Sequence, residues 1–148
     1  MRILLVLLLL LPIRQVWAEM RYGVLTYHDV VEGKVSGQTD TPTVSRSKLI
    51  EHFDWLKNNG YTPVSWRQIK EAEAGKGSLP EKPVLLTFDD GYANNYTELM
   101  PILGKYGAKA TVYVITNSIG RERYLTWGQL REMQERGIEI GSHTADHQ

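Results

Sequence analysis

Five short apolar runs, separated by amphipathic stretches, are the feature that most constrains the fold of this chain. The strand-like runs lie near 23–28, 62–65, 83–88, 109–115 and 138–142. Helical stretches alternate with them near 46–59, 66–74, 93–106 and 127–136. This alternation is typical of βα units built around a parallel sheet. We therefore predict an α/β fold.

Glycines and a capping motif mark the ends of the predicted helices. Gly60, Gly107 and Gly137 each follow a charged or polar last turn, as glycines that end helices do. Residues Thr126 to Gln129 have the pattern of a capping box, in which the first and fourth residues bond to each other's backbone. We expect the last helix to begin there.

Three of the predicted strands end in side chains that can carry chemistry. The run 83–88 is followed by Asp89 and Asp90, the run 138–142 by His143, and the run 23–28 ends at His28. Ligands bind at the carboxyl ends of parallel strands in open sheets and barrels alike. The sequence therefore predicts one site at this edge, with residues 32–43 as a loop over it.

Asp90, His143 and His147 together predict a metal site. One carboxylate and two imidazoles suit a catalytic zinc ion or a similar divalent metal with positions left open for water and substrate. Asp89 is then free for proton transfer, and Gly91 permits the sharp turn that lets both aspartates face one site. Each motif alone is weak, because Asp-Gly turns and paired histidines are common. Their joint placement after strands favours the metal site.

The segments Thr87–Gly91 and Ser142–His147 resemble the first and second signatures of the polysaccharide deacetylase family, also called the NodB-homology or carbohydrate esterase family 4 group. Members remove N-acetyl or O-acetyl groups from sugar polymers. The resemblance implies a (β/α) barrel, with Asp89 as the general base and the second aspartate and both histidines as metal ligands. Zinc is the expected metal, and cobalt, nickel and iron also tolerate this ligand set.

A third segment, Val24–Val30, resembles the opening motif of a permuted branch of that family. This branch includes the poly-β-1,6-N-acetylglucosamine N-deacetylases of biofilm exopolysaccharides, and it implies that His28 is the general acid. The resemblance covers most of residues 22 to 147. It favours β-1,6-linked N-acetylglucosamine as substrate, while the residues leave chitin-type oligomers, peptidoglycan and O-acetylated xylan open.

Two further side chains have competing interpretations. Tyr92 directly follows the Asp-Asp-Gly turn and is our candidate for stacking on a sugar ring, although most aromatic residues at such positions only pack. His52 lies within a helix beside the apolar stripe of Leu49, Phe53 and Leu56. We interpret His52 as structural and not as a metal ligand.

Residues 1–18 have the pattern of a secretory signal peptide. Arg2 precedes an apolar core of 11 residues, Ile3 to Ile13, and Val16 to Ala18 form a cleavage site. A membrane-spanning helix needs about 20 apolar residues, so we expect no stable span. We expect export to the periplasm, the cell surface or the medium. The absence of cysteine excludes lipid attachment at a lipobox and structural disulfides.

Charge argues against nucleic acid as the partner. Of 17 basic and 17 acidic residues, cleavage removes Arg2 and Arg14, which leaves 15 basic against 17 acidic residues and a formal charge of −2. Polyanion-binding proteins usually carry a basic excess. A neutral or weakly charged polysaccharide fits better, and the oligomeric state stays open.

Residues 19–148 are expected to form the N-terminal portion of a deacetylase domain. A complete (β/α) barrel needs roughly 200 residues or more, and the chain stops one residue after His147. The later motifs of the family have no counterpart here. We therefore predict a partial barrel that is truncated at its C-terminus. The alternative is a catalytically incompetent remnant that at most binds metal or sugar.

Overall fold

The computed structural model describes residues 21–33, 35 and 42–148. The predicted signal peptide lies outside these residues, as does part of the predicted loop 32–43. The strands are β1 (Gly23–Tyr27), β2 (Asp29–Val31), β3 (Thr43–Ser45), β4 (Thr62–Val64), β5 (Pro83–Phe88), β6 (Thr111–Val114) and β7 (Glu139–Ser142). The α-helices are α1 (Arg46–Asn58), α2 (Trp66–Glu73), α3 (Met100–Tyr106) and α4 (Trp127–Glu135). No helix within the described ranges is long and apolar enough to cross a membrane.

Strand β5 lies at the centre of a parallel sheet. It pairs with β1 along one register that ends with Tyr27 opposite Phe88. Its first half pairs with β4 and its second half with β6, where Phe88 lies opposite Val112. Strand β6 pairs in turn with β7, with Val114 opposite Ser142. All pairings are parallel, which confirms the predicted α/β fold and brings the carboxyl ends of β1, β5, β6 and β7 to one edge.

The core lies on both faces of β5, whose six residues are all buried. On one face, Val84, Leu86 and Phe88 belong to a large cluster that includes the apolar stripes of α1, α3 and α4. On the other face, Leu85 packs with Val64 and with Ile69 of α2. Strands buried on both faces read as continuous apolar runs, which is the pattern that identified β5 in the sequence.

Side-chain caps mark the starts of α1, α2 and α4. The predicted capping box of α4 is present, since the Thr126 side chain accepts from Gln129 N and the Gln129 side chain accepts from Thr126 N. Ser65 and Gln68 form a second capping box at α2 that the sequence analysis did not identify. Such caps contribute about 1 kcal/mol each. At its C-terminal end, α3 is capped by Gly107, which adopts the left-handed conformation with φ of 58°.

The structure differs from the prediction at two places. The expected continuous helix 93–106 begins instead with a π-helical turn, Asn95–Leu99, that leads into α3. Pro101 lies just after this turn. Proline has no N–H to donate to the carbonyl four residues earlier, and its ring would clash with that carbonyl in a regular α-helix. Strands β2 and β3 form a separate parallel pair that was not predicted, because runs of three residues are too short to show a period.

Glu139 fixes the start of β7 against a neighbouring helix. Its carboxylate accepts hydrogen bonds from the backbone N–H groups of Trp66 and Arg67, at 2.8 and 3.1 Å, and from Thr111 Oγ1 at 3.3 Å. These N–H groups belong to the first turn of α2, where a negative charge is favourable. The strand that leads to His143 is thereby tied to α2 and to β6.

Replacing Gly91 with alanine should destabilise the fold. Gly91 has a φ of 75°, and a Cβ atom there would lie 2.8 Å from Val114 Cγ1 and 3.3 Å from Val114 Cα. A left-handed non-glycine residue costs about 1–3 kcal/mol before any clash is counted. We expect Gly91→Ala to lower the free energy of unfolding, measured with urea, by at least this amount.

Gly104→Ala is the matched control. Gly104 lies within α3, and a Cβ atom there would meet nothing within 4 Å. Alanine is favoured over glycine within a helix by about 1 kcal/mol, so this variant should be as stable as the wild type or more stable. Equal unfolding free energies for Gly91→Ala and the wild type would contradict the close approach of Gly91 to Val114.

Candidate metal centre

The turn after β5 is built from two consecutive left-handed residues. Asp90 has a φ of 71° and Gly91 a φ of 75°. Aspartate tolerates this conformation better than most residues, although it is uncommon outside functional or turn positions. Asp90 is buried, with 5% of its surface exposed, whereas Asp89 is half-buried. The turn thus breaks the strand alternation, as the sequence analysis required for two adjacent aspartates at one site.

Backbone hydrogen bonds hold this turn from two sides. Asp89 N donates to Tyr27 O of β1 at 2.8 Å, and Leu125 N donates to Gly91 O at 2.9 Å. The first bond joins the turn to the end of β1. The second joins it to the segment that precedes α4.

The histidine segment after β7 is fixed to the end of β6. His143 N donates to Val114 O at 2.8 Å, and Thr116 N donates to Thr144 O at 3.1 Å. Thr144 has a φ of 63°, and its Oγ1 accepts from His147 N at 2.9 Å. This tight turn brings the two imidazole rings together, with ring centroids 4.9 Å apart.

The structure brings together the three predicted metal ligands. Asp90 Oδ1 lies 3.6 Å from His143 Nε2 and 3.4 Å from His147 Nε2. One ligand atom from each residue lies within 4.8 Å of the others. Asp90 Oδ1 is buried and has no hydrogen-bond partner among the described residues. A buried carboxylate oxygen therefore faces two imidazole nitrogens without bonding to either.

This arrangement fits a divalent cation. Two ligand atoms at about 2.1 Å from a tetrahedral zinc ion lie about 3.4 Å apart, which is close to both observed oxygen–nitrogen separations. A buried carboxylate oxygen that lacks a partner is costly in free energy, and a bound cation would remove that cost. Oxygen and imidazole ligands also suit cobalt, nickel and iron, so the geometry does not select among these metals.

His28 lies between β1 and β2, beside the aspartate turn. It directly follows β1, whose last residue, Tyr27, is opposite Phe88 and accepts the hydrogen bond from Asp89 N. His28 is half-buried, and its Nδ1 has no hydrogen-bond partner within the part of the chain described here. His28 and Asp89 thus occupy neighbouring strand ends at the edge that carries the metal-binding cluster. Their catalytic roles stay predictions.

Tyr92 is less open than the sequence analysis expected. Only 9% of its surface is exposed, and its ring stacks on Tyr124 with centroids 5.3 Å apart. An antiparallel bridge also pairs the backbones of these two residues, and Tyr124 is half-buried. The guanidinium of Arg123 lies 5.9 Å from the Tyr92 centroid. Little ring area remains for a sugar. Tyr124 lies at the end of an element, where the sequence allows a groove, but its sequence position does not show that it lies against Tyr92.

His52 lies outside the metal-binding cluster, consistent with the structural role expected for it. Its Nδ1 is hydrogen-bonded to the Tyr27 hydroxyl at 3.2 Å. The Tyr27 ring stacks on Phe88 with centroids 5.1 Å apart, and burial raises the pKa of the Tyr27 hydroxyl. His52 therefore helps to pack the end of β1 against α1.

Known proteins resemble this chain in sequence and in structure. The poly-β-1,6-N-acetyl-D-glucosamine N-deacetylase of Escherichia coli (strain K12) is 38% identical over an alignment 146 positions long. The alignment covers 88% of this chain and 21% of that protein. A de-N-acetylase from Aggregatibacter actinomycetemcomitans superposes with a TM-score of 0.79 at 43% identity, over 84% of this chain and 55% of that one. IcaB from Ammonifex degensii superposes with a TM-score of 0.73 at 31% identity, over 84% and 53%.

This chain thus spans about a fifth of the Escherichia coli relative and little more than half of each solved chain. The family model described as polysaccharide deacetylase matches residues 76–148, which contain both the aspartate turn and the histidine segment. The solved neighbours share the parallel α/β architecture. Sequence, fold and family model agree, and the chain belongs to the polysaccharide deacetylase family.

Proposed function

We propose that residues 19–148 form the N-terminal part of a metal-dependent hydrolase that removes N-acetyl groups from a polysaccharide. The observation that carries this proposal is the convergence of Asp90, His143 and His147 beside a second carboxylate, that of Asp89. A metal-binding cluster with an adjacent general base is the arrangement that amide hydrolysis by water requires. Family membership supports the same chemistry.

Asp90 and the two histidines would hold a divalent cation, with zinc as our first choice. Such an ion lowers the pKa of bound water and polarises the acetamide carbonyl. The three protein ligands leave coordination positions for water and substrate, which is how catalytic zinc sites differ from structural ones. Burial of Asp90 keeps its carboxylate directed at the two imidazoles.

Asp89 and His28 would move the protons. Asp89 accepts a proton from the attacking water as the new carbon–oxygen bond forms at the acetamide carbon. His28, in its protonated form, donates a proton to the leaving nitrogen as the carbon–nitrogen bond breaks. The products are acetate and a free amine. Each step of this kind contributes about 10²–10⁴-fold in rate.

The proposed substrate is a β-1,6-linked N-acetylglucosamine polymer. The name of the Escherichia coli relative supports this choice over chitin-type oligomers, peptidoglycan and O-acetylated xylan. We propose that Tyr92, which keeps 9% of its surface exposed, and the more exposed Tyr124 border the sugar. We also propose that residues 1–18 direct export and that the protein acts on a biofilm exopolysaccharide outside the cytoplasm.

Variants at the aspartate turn should separate metal binding from proton transfer. We expect Asp90→Ala and His143→Ala to lose zinc, because each removes a ligand atom. Asp89→Asn should keep zinc and lower turnover by about 10²–10⁴-fold, because only the base is lost. Zinc content by mass spectrometry and acetate release from the same samples measure the two effects.

Asp146→Ala is the matched control for this series. Asp146 lies between the two histidines in sequence, but it is exposed and is not part of the cluster. It should bind zinc as the wild type does. Full zinc occupancy in both Asp90→Ala and His143→Ala would overturn the ligand assignment, whatever their activity.

Acetate release tests the reaction and the substrate. We expect the protein, at its full natural length, to release acetate from poly-β-1,6-N-acetylglucosamine oligomers when it is loaded with zinc. Protein stripped by a chelator should release none, and reloading should restore the rate. Release that is independent of metal would refute the proposed chemistry. Faster release from chitin oligomers would change the substrate while keeping amide hydrolysis. Faster release from O-acetylated xylan would replace amide hydrolysis with ester hydrolysis.

A further inference from the structure

The segment that carries His28 is attached to the aspartate turn on both sides of His28. On its N-terminal side, Tyr27 O accepts the hydrogen bond from Asp89 N at 2.8 Å. On its C-terminal side, the attachment runs through Asn94, four residues beyond Asp90. His28 thus lies between Tyr27 and Asp29, and each of these two residues is hydrogen-bonded to the segment that contains the aspartate turn.

Asn94 uses both ends of its side-chain amide in this attachment. Its Nδ2 donates a hydrogen bond to the Asp29 carboxylate, and its Oδ1 accepts from Val30 N at 3.5 Å. Asp29 is buried, with 9% of its surface exposed, so its carboxylate needs hydrogen-bond donors, and Asn94 supplies one. Asp29 and Asn94 are 65 positions apart in the sequence. The bond therefore joins the start of β2 to the residue before the π-helical turn, two places that have no local connection.

The attachment matters because the part of the chain that the structure describes offers His28 Nδ1 no hydrogen bond that would orient the ring. This nitrogen atom is buried. The buried Asp29 carboxylate, which is the nearest acidic group in sequence, bonds to Asn94. Without a hydrogen bond at Nδ1, the position of the ring depends more strongly on the backbone on either side of His28.

We propose that the Asp29–Asn94 hydrogen bond is a positioning device that sets His28 relative to Asp89. Neither residue is assigned a contact with substrate or metal. The proposal rests on the roles proposed above for His28 and Asp89. On this proposal, the Asp29–Asn94 hydrogen bond determines the distance between the general acid, His28, and the general base, Asp89. Misplacing a catalytic group by about 1 Å can cost about 10²-fold in rate.

Four variants of the protein at its full natural length test this proposal. We expect Asp29→Ala and Asn94→Ala each to lower kcat by about 10- to 100-fold, with KM nearly unchanged and zinc content unchanged. The double variant should be no slower than either single variant, because both remove one interaction. Asp29→Asn keeps an acceptor oxygen for Asn94 and should retain most of the activity.

Asn58→Ala is the control, since Asn58 is exposed at the end of α1. A second readout does not depend on catalysis. In Asn94→Ala the NMR resonances of the His28 imidazole should shift and broaden, whereas Asn58→Ala should leave them in place. Unchanged His28 resonances in Asn94→Ala would overturn the proposal even if the wild type proved inactive on every acetylated sugar.

Two kinetic results would also overturn it. The first is an Asn94→Ala variant with the kcat of the wild type, which would mean that turnover does not depend on the Asp29–Asn94 hydrogen bond. The second is an Asp29→Asn variant as slow as Asp29→Ala. This result would mean that turnover depends on the charge of Asp29 and not on its hydrogen bond with Asn94. An inactive wild type with the expected His28 shifts would instead count against the proposed function and leave the positioning of His28 supported.

Discussion

The two halves of the candidate metal centre are fixed to the same residue, Val114 at the end of β6. The backbone of Gly91 lies so close to the Val114 side chain that a Cβ atom would clash with it. The carbonyl of Val114 accepts the hydrogen bond from His143 N. Asp90, which precedes Gly91, and His143 therefore take their positions from one point in the sheet. Because β5, β6 and β7 are paired in parallel, that point cannot shift without disturbing the buried core.

Two free-energy costs of forming the site fall on one buried residue, Asp90. Asp90 holds a left-handed conformation, is nearly inaccessible to solvent, and directs an oxygen without a hydrogen-bond partner among the described residues at two imidazoles. Left-handed strain and an unsatisfied carboxylate each cost on the order of 1–3 kcal/mol. Proteins retain such costs mostly at functional sites. A cation at this position would satisfy the oxygen and couple metal binding to the stability of the turn.

Much of this arrangement could be predicted from the sequence, because its signals are local. The buried strand β5 reads as an apolar run, and the motif that follows it ends the strand with a glycine. The capping box of α4 follows from two residues three positions apart. Parallel pairing then brings the motif-bearing strand ends to one edge, so the convergence of Asp90 with the histidines needed only the strand order.

What the sequence could not show depends on contacts between distant segments. The burial of Tyr92 follows from its backbone bridge and ring contact with Tyr124. The residues after the aspartate turn do not indicate that these two tyrosines pair. The bond between Asp29 and Asn94 joins segments with no local pattern in common. The π-helical turn arises where a proline lies in an otherwise regular helical pattern, and the sequence alone does not say whether such a helix breaks, kinks or widens.

X-ray absorption spectroscopy of the zinc-loaded protein, compared with the His143→Ala and Asp90→Ala variants, tests the central claim most directly. The account predicts a first shell of light atoms at about 2.0–2.2 Å that includes two imidazoles in the wild type. His143→Ala should lose one imidazole contribution or fail to bind zinc, and Asp90→Ala should bind far less metal. A wild-type shell without imidazole scattering, or a spectrum unchanged in both variants, would contradict a metal centre formed by Asp90, His143 and His147.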